Sequence, residues 1–314
     1  MIRQPLALLK TRGWISMLQA KKKKVRLFFL MVIPPLAVYI FFEVIPFLQT
    51  FYYAFTDWNG ISDTYNFIGF KNFIKLGSDS TFWTSFWHNM KFCIYGGIGT
   101  FVIALLNSAL LSHSKVKGKN FFRAVFFIPN ILSITVVSML WLLIYNPNFG
   151  LLNSFLNLFT HTPITKAWLG TKSTALICLI IPWVWMSVGF YMVLFNSAIE
   201  GMPDSYFEAA EIDGASKWQT FWYITMPLLK ETIRTALVFF FINAFSGVFT
   251  LVNVMTDGAP AKSTEVMTNY MYRIAFQQSN MGYATAIGVV VFLFVLFLTG
   301  IMLLLTRSKD VLEY

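Results

Sequence analysis

The sequence has 314 residues, of which 57% are hydrophobic, 18% are aromatic and only 12% are charged. Soluble domains carry about a quarter charged residues, so this composition excludes an ordinary soluble protein and indicates an integral membrane protein. The formal net charge of +10 is also a feature of nucleic-acid-binding proteins, and the position of the charges along the chain decides between these two explanations.

Cysteine and histidine predict neither a disulfide framework nor a metal site. Cys93 and Cys178 lie in apolar stretches and are interpreted as packed thiols. The histidines at positions 88, 113 and 161 are scattered at no ligand-like spacing. The sequence also has no Gly-x-x-x-x-Gly-Lys-Ser/Thr motif and no Ser/His/Asp constellation, so we expect neither nucleotide binding nor enzyme chemistry from this chain.

The chain begins with a basic tail at residues 1–26, in which a surface helix is predicted near Leu6–Leu18. The apolar run from Leu27 to about Pro46 is long enough to cross about 30 Å of hydrocarbon and is followed by no signal-peptide cleavage site. It is therefore interpreted as a retained first membrane span, which Pro34-Pro35 is expected to kink.

Five further apolar stretches predict membrane helices. They lie at about 92–112, 125–145, 174–197, 233–255 and 283–305. The predicted fold class is therefore an all-α integral membrane protein with six transmembrane helices. Its membrane domain is predicted over residues 27–306, with a short tail at 307–314.

Small residues and prolines within these spans predict how the helices meet. Gly96, Gly97 and Gly99 in the second span permit close helix contact. Pro129 in the third span and Pro182 in the fourth are each expected to bend the helix, because neighbouring helices can satisfy the carbonyl groups that a proline leaves free.

Lysine and arginine are distributed unequally between the two sides of the predicted spans. With the N-terminus in the cytoplasm, 17 of the 24 lysines and arginines fall on the cytoplasmic side and 7 on the outer side. This positive-inside bias predicts a multi-pass membrane protein with both termini in the cytoplasm. It also accounts for the net positive charge, so nucleic-acid binding is not expected.

A polar elbow at residues 201–229 separates the fourth span from the fifth. Pro203 and Asp204 are typical of the first turn of a helix, where proline loses no hydrogen bond and a negative charge suits the helix dipole. Gly214 supplies the left-handed residue that commonly ends a helix. The predicted apolar side of this helix consists of Phe207, Ala210 and Ile212.

A second short helix is predicted directly after Gly214. Ser216 and Gln219 have the spacing of a capping box, and Pro227 is expected to disturb the end of the helix. Apolar and aromatic residues recur at helical spacing, at Trp218, Phe221, Trp222 and Thr225. The elbow is therefore predicted to be a helix–turn–helix segment on the cytoplasmic surface of the membrane.

The spacing within this elbow resembles the signature loop of the membrane subunits of bacterial binding-protein-dependent ABC importers. Glu208-Ala209-Ala210, Gly214, Ile224 and Pro227 stand at the family's intervals, with Met226 where leucine is usual. In that family the loop is a coupling helix that docks into a cleft on a cytoplasmic ATPase. The resemblance implies a type I importer permease fold and assigns ATPase coupling to Glu208, Ala209, Ala210, Asp213, Gly214, Ile224 and Pro227.

Weaker motifs elsewhere resemble the carbohydrate-uptake branch of this family. They are the segments at 56–60, 67–73, 123–129, 146–153 and 258–265. The resemblance implies that the chain binds no cofactor itself and works in a bacterial cell membrane with several partners. These are a second, homologous permease, two copies of an ATPase that uses ATP and magnesium, an external solute-binding protein and a carbohydrate, predicted to be an oligosaccharide.

Polar and aromatic residues in the spans that flank the elbow are candidates for the substrate path, because sugars offer hydroxyl groups to polar side chains and C–H faces to aromatic rings. Trp183, Ser187 and Tyr191 recur on one stripe of the fourth span, and Asn243 and Ser246 share a face of the fifth. Each of them is equally explained as a contact between packed helices.

Two other functions remain open at this point. The same class of importer could carry glycerol phosphate or another small organic solute, although no lysine or arginine lies in the middle of a span to favour a phosphate. A more distant alternative is a secondary transporter. That function needs ion-coupling groups within the membrane, and among the acidic residues only Glu43 lies near a span end.

Overall fold

The structure, a computed structural model, describes residue 24 and residues 26–112, 118–160 and 162–305, without the side chains of Ser112 and Leu305. Over these ranges every regular element is helical, apart from an isolated antiparallel bridge between Thr56 and Phe67. The predicted tail at 307–314, the surface helix near Leu6–Leu18 and all of the predicted tail at 1–26 except residues 24 and 26 lie outside the described residues.

Four of the described helices are long and apolar enough to cross a membrane. They are α1 (Arg26–Tyr53), α3 (Ser80–Leu111), α7 (Lys172–Glu200) and α13 (Met281–Leu305). Their mean hydropathy is high, and each exceeds the roughly 20 residues that a helix needs to span the hydrocarbon core.

Two bent pairs of shorter helices supplement these four. Helices α4 (Lys119–Ile131) and α5 (Ile134–Ile144) meet at 98°, whereas α10 (Lys230–Ser246) and α11 (Phe249–Met255) meet at 41°. If each bent pair forms one span, the described residues contain six spans.

Short helices lie in the connections between the long ones. They are α2 (Lys71–Gly77), α6 (Leu151–Asn157), α8 (Asp204–Ile212), α9 (Lys217–Thr220) and α12 (Met267–Tyr272). The last two continue as wider π-helical turns, Phe221–Thr225 after α9 and Arg273–Gln277 after α12.

The prolines in three of the spans differ in their effect on helix continuity. Helix α1 includes Pro34-Pro35 in an unbroken run, and its irregular turn falls later, at Ile40–Val44. Helix α7 likewise runs through Pro182 without interruption. After Pro129, by contrast, the chain becomes extended at Leu132, where ψ is 144°, and the helix ends. The third span is therefore broken and not merely bent.

Glycines bring the central helices close together, as predicted. A side chain added at Gly96 or Gly97 would contact Phe240 of α10, and one added at Gly99 would contact Val184 of α7. Cys93 and Cys178 are buried free thiols in this core, also as predicted. Helices α3, α7 and α10 therefore form the packed centre of the described chain.

Helix α4 approaches α7 so closely at Gly189 that no side chain fits between the two backbones. A Cβ atom at Gly189 would lie 2.4 Å from the carbonyl oxygen of Phe126 and 2.8 Å from the Cα of Phe127. The two helix backbones therefore touch at this point, which only glycine allows. Farther along the same contact, the Asn130 amide donates a hydrogen bond to the Met186 carbonyl at 3.3 Å.

Candidate functional site

The first helix of the elbow, α8, ends as the sequence predicts. Gly214 is left-handed, with φ of +74°. The N–H of Ala215 donates to the Ala210 carbonyl at 2.9 Å, and the N–H of Gly214 donates to the Glu211 carbonyl at 3.1 Å. These two bonds close the carbonyl end of the helix. Pro203 lies just outside the helix and not in its first turn, because its ψ of 130° is extended.

The second helix, α9, begins with the predicted capping box. The Ser216 N–H donates to the Gln219 side chain at 2.8 Å, and the Gln219 N–H donates to the Ser216 hydroxyl at 3.3 Å. Pro227 does not end this segment. The disturbance is the π-helical turn Phe221–Thr225 before it, and a last helical turn, Met226–Leu228, contains the proline.

One predicted face of α8 is wrong. Ala210 is buried and Phe207 is partly buried, but Ile212 is 86% exposed. The reason is the helical repeat: a residue two positions after Ala210 is rotated by about 200° and points away from it. Ile212 therefore adds an apolar side chain to the open surface of the elbow.

The residues assigned to ATPase coupling are mostly accessible. Those exposed are Glu208, Ala209, Asp213, Gly214 and Pro227, whereas Ile224 is partly buried and Ala210 is buried. Two aromatic side chains on α9 and its extension, Trp218 and Tyr223, are also exposed. The elbow thus presents carboxylates and apolar side chains together on a surface that the other described residues leave uncovered.

A cluster of opposite charges lies where α7 joins the elbow, and the sequence analysis did not identify it. The carboxylate of Glu200, the last residue of α7, lies 3.1 Å from the Lys119 ammonium and 2.5 Å from the Arg123 guanidinium. We call these three residues the root cluster. The four-residue spacing of Lys119 and Arg123 indicates a shared helix face, but nothing in the sequence places Glu200 opposite them.

The five candidate substrate-path residues differ in burial. Trp183 and Tyr191 of α7 are buried in the core, where Tyr191 contacts the rings of Phe101 and Phe240. Ser187 is partly buried between them along the helix.

Asn243 and Ser246, by contrast, are exposed on α10. The Asn243 amide donates to the Phe239 carbonyl and the Ser246 hydroxyl to the Ile242 carbonyl. The α7 pair is therefore buried and the α10 pair open, although the Trp183 ring and the Asn243 side chain both lie beside Gly247, at 3.2 Å and 3.3 Å from the position of an added Cβ atom.

Ser246 lines a cavity of about 420 Å³ between α10, α11, α12 and α13. Three aromatic rings lie in series along it, with centroids 5.3 Å apart from Phe249 to Tyr272 and 5.0 Å apart from Tyr272 to Phe276. The Thr268 hydroxyl is buried without a hydrogen-bond partner in the described residues. Further hydroxyl groups in the lining belong to Thr50 and Thr285. The cavity thus combines ring faces with the unpaired hydroxyl of Thr268, whereas the hydroxyl groups of Ser246, Thr50 and Thr285 donate to backbone carbonyls.

Comparison with known proteins gives the family. The model of the binding-protein-dependent transport system inner membrane component matches residues 99–311, a range that includes the whole elbow. The chain belongs to this family. Because its members are membrane components of ABC importers, the chain is a permease and a transport component, not an enzyme. Embedding in a membrane follows from the same membership.

Named relatives match the permease over most of its length. It is 36% identical over 272 residues to the probable ABC transporter permease protein YurN of Bacillus subtilis, which covers 86% of this chain and 92% of the relative. It is 34% identical over 282 residues to the diacetylchitobiose uptake system permease protein NgcF of Streptomyces coelicolor, covering 87% and 80%.

A solved structure confirms the permease fold. The permease superposes with a TM-score of 0.79 on a chain of a bacterial alginate ABC transporter in complex with an alginate pentasaccharide-bound periplasmic protein. The match covers 93% of this chain and 99% of that chain at 21% sequence identity. The helix arrangement described above is therefore that of an ABC importer permease.

A second polar group lies at the end of the helices opposite the elbow, and we call it the loop cluster. Its members are Asp79, His88, Asn89, Glu265, Asn269, Tyr270, Arg273 and Tyr283. Asn89 of α3 is fully buried, donates to the Ala244 carbonyl at 2.7 Å and accepts from the Met267 N–H at 2.8 Å. It therefore joins three segments that are distant in the sequence.

Acidic residues of the loop cluster are held in two different ways. Glu265 is fully buried; burial raises its pKa, and the Arg273 guanidinium at 3.2 Å partly offsets the shift. Burial also raises the pKa of Asp79, but hydrogen bonds from Tyr270, Tyr283 and backbone N–H groups outweigh it and hold that pKa below the ordinary value of 3.8. The segment at 258–265 contains Glu265 but not its side-chain partners Asn269 and Arg273, which follow it, and the tyrosine partners of Asp79 lie 191 and 204 residues away.

Proposed function

We propose that this permease is the transmembrane subunit of an ATP-driven importer for a carbohydrate, namely an oligosaccharide. We also propose that its elbow transmits the motion of an ATPase. The observation that carries the proposal is the elbow itself. Two short capped helices meet at a left-handed Gly214, and Glu208, Asp213 and Ile212 stand exposed on them. This surface offers charge and apolar area to a partner without any change in the elbow's own bonds.

In this proposal the partner ATPase, and not the permease, hydrolyses ATP. A pair of ABC ATPases binds ATP and magnesium, and each elbow of two homologous permeases inserts into a cleft on one ATPase. When ATP binding closes the ATPase pair, the two elbows move together. The cytoplasmic gate then closes and the external gate opens, so that the sugar passes from a binding protein into the permease.

Substrate class is inferred from relatives and from the cavity. One relative is a permease of a diacetylchitobiose uptake system, and the similar solved structure contains a periplasmic protein bound to an alginate pentasaccharide. Aromatic rings beside the unpaired Thr268 hydroxyl suit the C–H faces and hydroxyl groups of a sugar. We therefore propose that the substrate path passes Ser246 and Asn243 of α10. Trp183, Ser187 and Tyr191 would line the substrate path only in a conformation in which α3, α7 and α10 move apart.

The proposed membrane arrangement has six spans with both termini in the cytoplasm. Each bent pair then counts as one span, and the elbow lies on the cytoplasmic side. The support is the excess of lysine and arginine on that side. It is an independent reason to place the elbow where an ATPase reaches it.

Charge reversal at the elbow tests the coupling role. We expect Glu208→Lys to weaken ATPase retention by about ten- to a hundredfold, because a charge-assisted hydrogen bond in a desolvated cleft contributes about 1.5–3 kcal/mol. The measurement is co-purification of the ATPase with the tagged permease. Uptake by reconstituted vesicles is followed in parallel with an oligosaccharide and with glycerol phosphate, which separates the two substrate classes.

The matched control is Asp63→Lys, the same charge change on an exposed residue far from the elbow. It is expected to retain the ATPase and the uptake rate of the unmodified permease. Full ATPase retention together with full uptake in Glu208→Lys would contradict the proposal. Uptake of glycerol phosphate in place of every oligosaccharide would leave the coupling role intact and overturn the substrate class.

A further inference from the structure

The root cluster consists of charges placed at the unfavourable ends of their helices. Glu200 is the last residue of α7, where the helix dipole disfavours a negative charge, and Lys119 is the first residue of α4, where it disfavours a positive one. Neither charge therefore stabilises its own helix. Their contact at 3.1 Å and that of Arg123 at 2.5 Å satisfy both helix ends at once. The interactions between these charges are favourable, whereas the interactions of Glu200 and Lys119 with their own helix dipoles are not.

The root cluster is too exposed to serve mainly as a source of stability. The side chains of Glu200, Lys119 and Arg123 are 43%, 34% and 21% exposed. Ion pairs at this level of exposure contribute about 0–1 kcal/mol to folding. Two cations on one carboxylate do, however, fix the direction of the helix end directly before Gly201, where the elbow begins.

Helix α4 is attached to α7 along its whole length. The root cluster holds its first turn, the backbone contact at Gly189 holds its middle, and Asn130 bonded to Met186 holds its last turn. Directly beyond, at Leu132–Ser133, the chain is extended and α5 turns away by 98°. Helix α5 packs mainly on α11, the far half of the other bent pair, and meets α7 through the edge contact of Trp141 with Trp185, whose ring centroids are 6.0 Å apart. The break thus lies between the α4–α7 pair and the pair formed by α5 and α11, which we call the α5–α11 unit.

We propose that Glu200, Lys119 and Arg123 are positioning residues that fix the root of the elbow to α4, so that α4 and α7 move as one body when the elbow moves. The motion then arrives at the break at Leu132–Ser133, which acts as the joint to the α5–α11 unit. This proposal rests on the coupling role proposed above for the elbow. It adds a second element, α4, through which ATPase motion reaches the membrane domain.

The test separates docking from transmission in the reconstituted importer. In Glu200→Ala, we expect the ATPase to co-purify normally and ATP hydrolysis to stay within about twofold, while uptake per ATP falls about tenfold, as for a typical coupling energy between sites. In the double variant Glu200→Arg with Arg123→Glu, the pair is restored with reversed charges and the uptake per ATP should recover. Recovery would not occur if Glu200 merely filled space.

A distance measurement provides a second readout. Spin labels at cysteines introduced at the exposed positions Asn120 and Ser205 report the separation of α4 from the elbow, while the native Cys93 and Cys178 are buried. We expect one narrow distance distribution with and without ATP in the unmodified background, and a broadened one in Glu200→Ala. A distribution that changes with ATP in the unmodified background would overturn the proposal.

The matched control is Glu231→Ala, which removes a carboxylate on the other side of the elbow. Glu231 pairs with Arg234 three residues away in the same helix, and it is the Arg234 guanidinium, not the Glu231 carboxylate, that bonds to the Leu303 carbonyl of α13. Its uptake per ATP should remain unchanged. Normal coupling in Glu200→Ala, with ATPase docking still lost in Glu208→Lys, would end the α4 proposal and leave the elbow's role standing.

Discussion

The loop cluster and the elbow are built in opposite ways, although both connect the ends of membrane helices. In the loop cluster, Asp79 accepts hydrogen bonds from two tyrosines that are 191 and 204 residues away in the sequence. In the elbow, the capping bonds of Ser216 and Gln219 join residues only three positions apart. The loop cluster therefore fixes helices to one another, whereas the elbow fixes only its own shape.

Burial shows the same difference. Asn89 and Glu265 of the loop cluster are fully buried, whereas Ile212 of the elbow is 86% exposed and Tyr223 is 80% exposed. Polar groups that are buried and paired resist separation, because each loses a partner and cannot regain water. The exposed apolar side chains of the elbow, by contrast, hold no other helix in place and are available to contact a partner. The comparison therefore predicts that mutations alter stability at one end and assembly at the other.

The largest expected effect on stability is at Asn89. Asn89→Ala leaves the Ala244 carbonyl and the Met267 N–H buried without partners, and each unpaired group costs about 1–3 kcal/mol. We expect a loss of about 3 kcal/mol in the free energy of unfolding, measured by thermal or denaturant unfolding in detergent. Asn120→Ala, an exposed site on α4, serves as the matched control and should change little. Equal stability of the two variants would remove the loop cluster as a rigid unit.

A smaller effect on stability is expected at Asp79. Since the folded-state pKa of Asp79 is below its ordinary value of 3.8, its ionised form stabilises the fold above that pH, and the contribution is lost as the pH falls through the folded-state value. Asp79→Asn should cost about 1–2 kcal/mol at neutral pH. Unfolding curves for both proteins from pH 6 to acid conditions check the sign. The gap between them should narrow on acidification; a constant gap would refute the assignment.

The smallest effect on stability is expected in the elbow, at Gly214. No atom lies within 4 Å of an added Cβ there, so the φ of +74° is the structural constraint. Valine costs about 1–2 kcal/mol in this conformation and asparagine less. We expect Gly214→Val to reduce ATPase co-purification about tenfold and Gly214→Asn to reduce it far less, with both unfolding at the temperature of the unmodified permease. A large drop in unfolding temperature in either variant would show that the elbow also holds the helices together.

The sequence predicted the elbow well because its structure is local. A left-handed glycine and a capping box depend on residues within four positions, so spacing alone reveals them. Ile212 was misplaced because three apolar residues were taken as one face without following the helical rotation. The loop cluster and the root cluster were not predicted, since Asp79 and Glu200 find their partners across long sequence separations.

The candidate substrate-path residues show a different limit of prediction from sequence. A stripe such as Trp183 and Tyr191 establishes that two side chains share a helix face, but not whether the face meets a cavity or another helix. In the structure that face meets α3 and α10. The break after Ile131 was likewise not predicted, because a proline in a membrane helix is compatible with a continuous helix, as at Pro182, and with a broken one, as at Pro129.

The position of α1 has a consequence for how the protein is made. The most apolar window of α1 buries none of its residues against the rest of the described chain. Its ring contacts include those of Phe47 and Phe51 with Phe292 of α13, the last of the described helices. During synthesis from the N-terminus, α1 therefore enters the bilayer well before α13 is available. The earliest described helix and the latest one pack together only when synthesis is almost complete, and the newly inserted α1 is solvated by lipid until then.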